Sequence, residues 1–484
     1  MTDRIRPAIS IRHRRGNIRI VVASLIAVLG VAVIAASCGG GNSSSAPAPV
    51  AAPPATPPPA TPPTAPPTVS TPPVGASQSV TLQVPAGMNS PPLDVAHTMM
   101  VPPGFNIRVF ARVPNARFMA LAPNGDLLVS DPNDGAVVLL RPNGNAAPTQ
   151  FTFASGLSLP HDIAFQTIGS TTYVYVSESN QIIRAPYISG DTAMGKIQVI
   201  VGNLPDASMP ELGGAYSHAL KNFTLHNGNL YVSIGSSCNA CTSDTTSNPI
   251  RGSIYVYDQN GGNGRLFASG IRNAEGVRFR PGTDDLWAVV NNRDNIAYPF
   301  HNGWNGDTGD DFGRVIQSYV DGHPPDLLLK VRDGGQYGWP FCNSNPDQGL
   351  DNMPYDLDAQ LNPDGSQLNC ASIDRPIKGI AAHSAPLGMS FLQDSGLPAS
   401  YRNALVTALH GCWNCSAFNG HKIVLYPFNA DGSVGDAVDL VTGWLTDAAD
   451  KDRWGRPVDA IPDGKQGLYI SDDLSGTIYL LTGS

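Results

Sequence analysis

Charge is scarce in this sequence: only 14% of its 484 residues are Asp, Glu, Lys or Arg, a poor supply for long amphipathic helices with a solvated charged face. Basic groups are scarcer still beyond the N-terminus. Six of the 30 Lys and Arg fall within residues 1–37, with one of the 39 Asp and Glu, so the rest of the chain carries 24 basic against 38 acidic side chains, a net −14. A surface that acidic repels phosphate backbones, which argues against nucleic acid as a partner and leaves calcium or cationic surfaces compatible.

Self-sufficient catalytic motifs are missing as well. There is no Walker loop, no HExxH and no G-x-S-x-G elbow, and Gly261-Gly-Asn-Gly lacks the strand-to-helix setting of a dinucleotide fingerprint. Neither Cys-x-x-Cys pair is followed by His, since Thr242 and Ser416 stand there, so covalent haem c is not indicated.

What is present in quantity is Gly and Pro, 50 and 43 residues. That composition suits short strands joined by turns and predicts an all-β class. One all-β unit can run to several hundred residues, so length forces no split.

The first residues read as an export signal: six Arg from Arg4 to Arg19, then an apolar run from Ile20 to Ala36. The run ends Ala35-Ala36-Ser37-Cys38-Gly39, which resembles a bacterial lipoprotein signal with Cys38 as the acylated residue; a plain signal peptide or a retained anchor helix are the alternatives. Residues 1–37 are thus expected to be a signal peptide. Residues 38–95, rich in Pro, Ala, Ser and Thr, are expected to be a linker, and 96–484 the folded domain. The expected location is the bacterial cell envelope, periplasmic or lipid-anchored to the membrane.

Six further cysteines, Cys238, Cys241, Cys342, Cys370, Cys412 and Cys415, fit export. Two Cys-x-x-Cys pairs could make a four-thiolate zinc site. Oxidised pairs within each motif and a Cys342–Cys370 bridge are the preferred reading outside the cytoplasm, although connectivity does not follow from spacing.

From residue 101 one strand phrase keeps returning after an Asn/Asp/Gly turn: Asn124-GDLLVSD-Pro132, Thr172-YVYVSES-Asn180, Asn227-GNLYVSIG-Ser236, Thr283-DDLWAVVN-Asn292, Arg402-NALVTALH-Gly411 and Lys465-QGLYISDD-Leu474. Several are followed by a second strand, as at Ala136, Gln181, Gly252, His421 and Gly476. Such a strand-turn-strand repeat predicts a six-bladed β-propeller. Strand Phe105–Val113 stands apart and is expected to complete the last blade, while the long interval before Ala404 must hold insertions. Taken as the inner strand, the phrase places His218 on the loop feeding it, at the mouth of what the repeats enclose.

Polar residues flank these strands: His161, His218, Arg272, Asn273, Asn292, Arg293, Asp294, His410 and Arg456. Histidines and arginines converging on a propeller axis suit an anionic ligand and proton transfer.

These residues lie in phrases that resemble pyrroloquinoline quinone (PQQ)-dependent sugar dehydrogenases, within them the L-sorbosone and soluble aldose dehydrogenase branch. The phrases are Gly213-Gly214 to His218, Gly228-NLYVSIGSSCNAC, Gly270-IRNAEGVRF, Leu286-WAVVNNRD, Gly335-QYGWP, Ala408-LHGCWN and Gly455-RP, in order over roughly residues 100–482. The resemblance implies a six-bladed propeller holding PQQ and a calcium ion (Ca2+) over the central channel. It implies His218 as general base, with hydride passing to the quinone, and Arg272 and Asn273 against the cofactor. It further implies His161, His410 and Arg456 as cofactor contacts, and main-chain carbonyls near Asn292 and Arg293 as calcium ligands, where the glucose-oxidising branch has Gly-Pro. The expected partners are a sugar or aldehyde and an external electron acceptor, a cytochrome or quinone. The alternatives are a non-catalytic binding propeller and a metal-dependent sugar lactonase, for which Glu211 and Glu275 would be the carboxylates to watch.

Overall fold

A computed structural model describes residues 73–483; the expected signal peptide, Cys38 and most of the expected linker lie outside the described residues. Six sheets follow one another along the chain, antiparallel except that the short strand Gly335–Gln336 adds in parallel to the edge of the third. The first holds Met119–Leu121, Leu127–Asp131, Ala136–Asn143 and Ala146–Ala154. The second holds Ile163–Ile168, Thr171–Ser177, Ile182–Pro186 and Gln198–Val201, and the third Phe223–His226, Asn229–Ile234, Ser253–Asp258 and Arg265–Ser269. Ala274–Phe279, Leu286–Val290, Asp326–Val331 and Lys378–Ile380 make the fourth. The fifth holds Pro386–Phe391, Ala404–Leu409, Lys422–Pro427 and Val438–Val441, and the sixth Pro457–Pro462, Gly467–Asp472, Thr477–Gly483 and, out of order, Phe105–Arg112.

The first strands of successive sheets touch in a closed cycle, from 119–121 through 163–168, 223–226, 274–279 and 386–391 to 457–462 and back to 119–121. The sheets are therefore the blades of a six-bladed propeller, with those strands around the axis. The early strand Phe105–Arg112 pairs antiparallel with Thr477–Gly483, so the two ends of the domain are joined in one blade, as expected.

The recurring phrase is the second strand of each blade, not the innermost. Second strands pack blade against blade on both faces, and Leu127–Asp131, Leu286–Val290, Ala404–Leu409 and Gly467–Asp472 are buried at every residue. Burial on both faces demands a near-continuous apolar run, which makes this strand conspicuous in sequence. The innermost strands are interrupted by Gly, Pro and charge, as in Ala274–Phe279 with Glu275, Gly276 and Arg278.

The Ser that closes several phrases has a structural reason. Ser177 Oγ donates to the Lys221 carbonyl at 2.6 Å, Ser233 Oγ to the Ala274 carbonyl at 2.8 Å and Ser471 Oγ to the Arg117 carbonyl at 2.5 Å. Each bond runs from the end of a second strand to the segment leading into the next blade. These stitches satisfy buried carbonyls and hold the loops that carry the polar residues.

The chain between Val290 and Pro386 holds the predicted insertions, including a hairpin of Cys342–Ser344 with Tyr355–Leu357. The six cysteines form disulfides Cys238–Cys241, Cys342–Cys370 and Cys412–Cys415, which leaves no thiolate for zinc among the described residues. The tail of the stretch expected as linker is folded: Gln78–Thr81 pairs with Thr98–Val101, and Leu82, Met88 and Leu93 are buried against the fifth and sixth blades. Those three apolar residues are what the preceding Pro-rich run lacks.

Candidate functional site

All the sequence-selected polar residues fall on loops that lead into a first strand or out of a second strand, which places them on one face of the ring. His161 precedes Ile163, His218 precedes Phe223, Arg272 and Asn273 precede Ala274, and Arg456 precedes Pro457. Asn292 and Arg293 follow Val290, and His410 follows Leu409.

On that face a cavity of about 120 Å³ is lined by His218, Arg272, Asn292, Asp294, His383 and Trp413 among others. His218 Nδ1 lies 2.9 Å from the Ser236 carbonyl oxygen and 3.0 Å from Ser236 Oγ. Burial, aided by the nearby Arg272 charge, pushes its pKa down to about 4, so the ring is neutral at physiological pH. Gly235 lets the backbone pass close to it: a Cβ there would sit 2.7 Å from both Asn273 Oδ1 and His218 Cβ.

Arg272 is buried and fully engaged. Its Nη2 donates to Asp294 Oδ2 at 2.8 Å and to Asn239 Oδ1 at 3.0 Å, and its Nε to the Asn239 carbonyl at 3.2 Å. Burial opposes ionisation of Asp294, but His383 and Arg272 outweigh it and hold the carboxyl below its ordinary value. His383 lies with Nδ1 3.4 Å from Asp294 Oδ1 and donates Nε2–H to the Val320 carbonyl at 2.7 Å. Burial opposes its charge too, yet the Asp294 bond and the Asp326 charge raise its pKa. Two histidines of one cavity are thereby driven apart, one towards a neutral base and one towards a cation.

A second set lies beside Arg272 and closer to the axis, centred on Glu275 in the innermost strand of the fourth blade. Asn273 Nδ2 reaches Oε1 at 3.0 Å, Asn222 Nδ2 reaches Oε2 at 3.0 Å, and His161 Nε2 lies 3.1 Å from Oε2. Burial opposes the charge, but His161, the Arg117 charge and Asn273 hold Glu275 down at about 2. His161 Nδ1 and Asn222 Oδ1 are buried without a hydrogen-bond partner.

The remaining residues are spread more widely. The Arg293 guanidinium is turned to Asp358 and Gln360. His410 binds the Pro457 carbonyl at 3.1 Å and stands 3.7 Å from Asp473, and burial pushes its pKa down to about 3. Arg456 donates to the main-chain carbonyls of His410 and Gly411 at 3.0 and 3.1 Å. Glu211 pairs with Arg251 and is half exposed, away from Glu275. Asn292 Oδ1 accepts the Arg293 N–H at 2.9 Å, whereas the Asn292 and Arg293 main-chain carbonyls accept no hydrogen bond among the described residues. Nor do the described residues include a group of three or more His, Cys, Asp or Glu arranged to hold a metal.

Sequence reasoning missed Asn239, Ser236, His383, Asp326 and Trp413. Asp326 joins two blades by accepting the Asn292 N–H and the Ala385 N–H, each at 2.8 Å. Register was the signal that could have found His383: it precedes a first strand, as His161 and Arg272 do.

The TrAA12-like family model matches residues 99–484. A pyrroloquinoline quinone-dependent pyranose dehydrogenase of Coprinopsis cinerea is 27% identical over 288 residues, 52% of this chain and 37% of that protein. An uncharacterized protein of Borreliella burgdorferi is 26% identical over 220 residues, 44% of this chain and 48% of that one. The matches thus span less than half the length of these curated relatives. In fold, the chain superposes on the holo PQQ domain of the C. cinerea pyranose dehydrogenase with a TM-score of 0.62 at 20% identity, covering 83% of this chain and 100% of that domain. A Trichoderma reesei carbohydrate-active enzyme of family AA12 gives 0.64 at 20% identity, covering 80% and 98%. The family match extends from Met99 through all six blades, and the chain belongs to the TrAA12-like family of AA12 pyrroloquinoline quinone-dependent oxidoreductases.

Proposed function

We propose that this chain oxidises a sugar or sugar aldehyde with PQQ, using His218 as general base. The observation that carries the proposal is the neutral His218 ring, anchored at Nδ1, on the wall of a cavity it shares with buried Arg272.

The donor set fits an anionic quinone. Arg272 keeps its positive charge at the cavity wall and the neutral His218 imidazole stands beside it, while the Asn273 amide donates to Glu275 and the Asn292 amide to the Pro325 carbonyl. PQQ, when bound, supplies the two-electron acceptor. The protein's part is then proton and charge management. His218 Nε2 takes the hydroxyl proton of the substrate, while Nδ1–H stays on the Ser236 carbonyl and fixes the ring's tautomer. Arg272, held in place by Asp294 and Asn239, sets a preorganised positive charge where negative charge grows. Trp413, 70% exposed on the cavity wall, offers an apolar face to the C–H side of a sugar ring.

Calcium fits less well. It takes about 6–8 oxygens, and the Asn292–Arg293 pair offers two free carbonyls beside a guanidinium. No step is assigned to it. The electrons leave to an external acceptor, a cytochrome or quinone. The export signal, Cys38 and three disulfides support action in the cell envelope on a lipid anchor.

The test is single turnover. The full chain loaded with PQQ is mixed with a panel of aldoses and followed in the visible spectrum without any external acceptor. A sugar-dependent bleaching or shift supports the reading; no change with any sugar, in a chain shown to bind PQQ, removes it. The binding-propeller alternative would show neither loading nor turnover, and the lactonase alternative would show lactone hydrolysis without PQQ.

A further inference from the structure

The loop Cys238–Cys241, closed by its own disulfide, contains the residue on which both walls of the cavity rest. That residue is Asn239. Its main-chain carbonyl accepts Arg272 Nε at 3.2 Å and Trp339 Nε1 at 3.0 Å. Its side-chain Oδ1 accepts Arg272 Nη2 at 3.0 Å and the Asp294 N–H at 2.9 Å, and its Nδ2 donates to the Asp294 carbonyl at 2.8 Å. One asparagine thus grips Arg272 twice and the Asp294 backbone twice.

The same loop reaches the base. Ser236 Oγ donates to the Cys238 carbonyl at 2.8 Å, and Ser236 holds His218 Nδ1 through both its carbonyl and its hydroxyl. Residues 235–241 lie beyond the end of strand Asn229–Ile234, so no sheet ladder fixes them. A free loop would spend part of its time in other conformations, and the disulfide removes much of that freedom. The second short disulfide loop, Cys412–Cys415, borders the cavity through Cys412 but makes no hydrogen bond to His218, Arg272 or Asp294 among the described residues.

We propose that Asn239 is a positioning residue for Arg272 and Asp294, and that the Cys238–Cys241 disulfide is the staple that holds Asn239, and through Ser236 also His218, in working geometry. This rests on the reading of Arg272 and His218 as the groups that act on substrate and cofactor. Asn239 touches neither. It acts through Arg272, whose fork needs two acceptors at fixed positions.

The experiment compares the full chain with Asn239→Ala, with Cys238→Ser/Cys241→Ser and with Cys412→Ser/Cys415→Ser. Two readouts are taken: the rate at which phenylglyoxal labels Arg272, followed by peptide mass spectrometry, and kcat and KM of dye-linked sugar oxidation after loading with PQQ. Arg272 should be labelled about tenfold faster in the first two variants, because the groups covering it open more readily. Their kcat should fall about 10²-fold, the cost of a misplacement near 1 Å, with KM for sugar changed much less. The Cys412→Ser/Cys415→Ser variant should match the parent in the labelling of Arg272 and in kcat, while KM for sugar rises, because that loop carries Trp413 on the cavity wall. Arg272 labelling at the parental rate in both test variants overturns the staple, whether or not the chain oxidises sugars. Faster labelling with unchanged kcat overturns the positioning role. Should Asn239→Ala fail to fold, the Cys238/Cys241 pair decides alone. A parent chain without PQQ-dependent activity sinks the functional reading and leaves the labelling result to judge the staple.

Discussion

His218 Nδ1 stands 2.9 Å from the carbonyl oxygen of Ser236. A carbonyl can only accept, so Nδ1 carries the hydrogen and the neutral ring keeps its lone pair on Nε2. Burial and the Arg272 charge depress the pKa of this ring to about 4. A base must be unprotonated to work, so its contribution is present above the folded pKa and lost as pH falls through it. The pH profile of kcat/KM for the PQQ-loaded chain should therefore lose its acid limb near pH 4. A limb at the ordinary histidine value would contradict the environment described for His218.

Gly235 separates His218 from Asn273 with no room to spare. A methyl group at this position would meet Asn273 Oδ1 and His218 Cβ at 2.7 Å, well inside contact distance. Gly235→Ala should lower kcat by about 10²-fold through displaced catalytic groups, with a stability cost of about 1–3 kcal/mol from overpacking. Melting curves and steady-state kinetics on one preparation separate the two effects.

Arg272 and Asp294 form a buried ion pair at 2.8 Å, with side chains only 6% and 15% exposed. Removing one partner strands the other, so Arg272→Met should destabilise by about 3–5 kcal/mol. Arg272→Lys keeps the charge but not the fork to Asn239, and should fold while losing most of kcat. Denaturant unfolding of the two variants, side by side, checks the order.

Trp413 is the one large aromatic of the cavity wall left open to solvent among the described residues. Trp413→Ala should raise KM for sugar by about tenfold, an energy of ~1.4 kcal/mol, in keeping with a lost aromatic contact, while kcat and PQQ loading change little. An unchanged KM across the sugar panel would place substrate elsewhere.

The architecture was legible because burial on both faces writes a continuous apolar strand. Leu286–Val290 is apolar and buried at every residue, Gly467–Asp472 is buried throughout with an apolar run from Leu468 to Ile470, and the spacing of such strands carried the blade count. The misplaced detail was which strand lines the axis, since the apolar run of the innermost strands is interrupted, as at Glu275 and Gly276. The site was half legible. His218 and Arg272 fall in distinctive phrases and share a cavity; Ser236, Asn239 and Asp294 stand in the same set of phrases, but nothing in the sequence shows that they hold those two. Asn239 gives no periodic signal, and its part comes from five hydrogen bonds that a loop closed by Cys238–Cys241 brings together. His383 lies about 110 residues from Arg272 in sequence, and only the packing of the fourth and fifth blades puts it on Asp294.

The most direct test of His218 acting on a PQQ-bound sugar site is a titration of the full chain with PQQ, with calcium and with a chelator, following dye reduction on a panel of aldoses beside the His218→Ala variant. The parent chain should show saturable, PQQ-dependent sugar oxidation. His218→Ala should bind PQQ with parental affinity and have its kcat lowered by about 10²–10⁴-fold, the share a positioned general base supplies. A parent chain that binds no PQQ, or a His218→Ala variant that turns over sugar at the parental rate, would contradict this role.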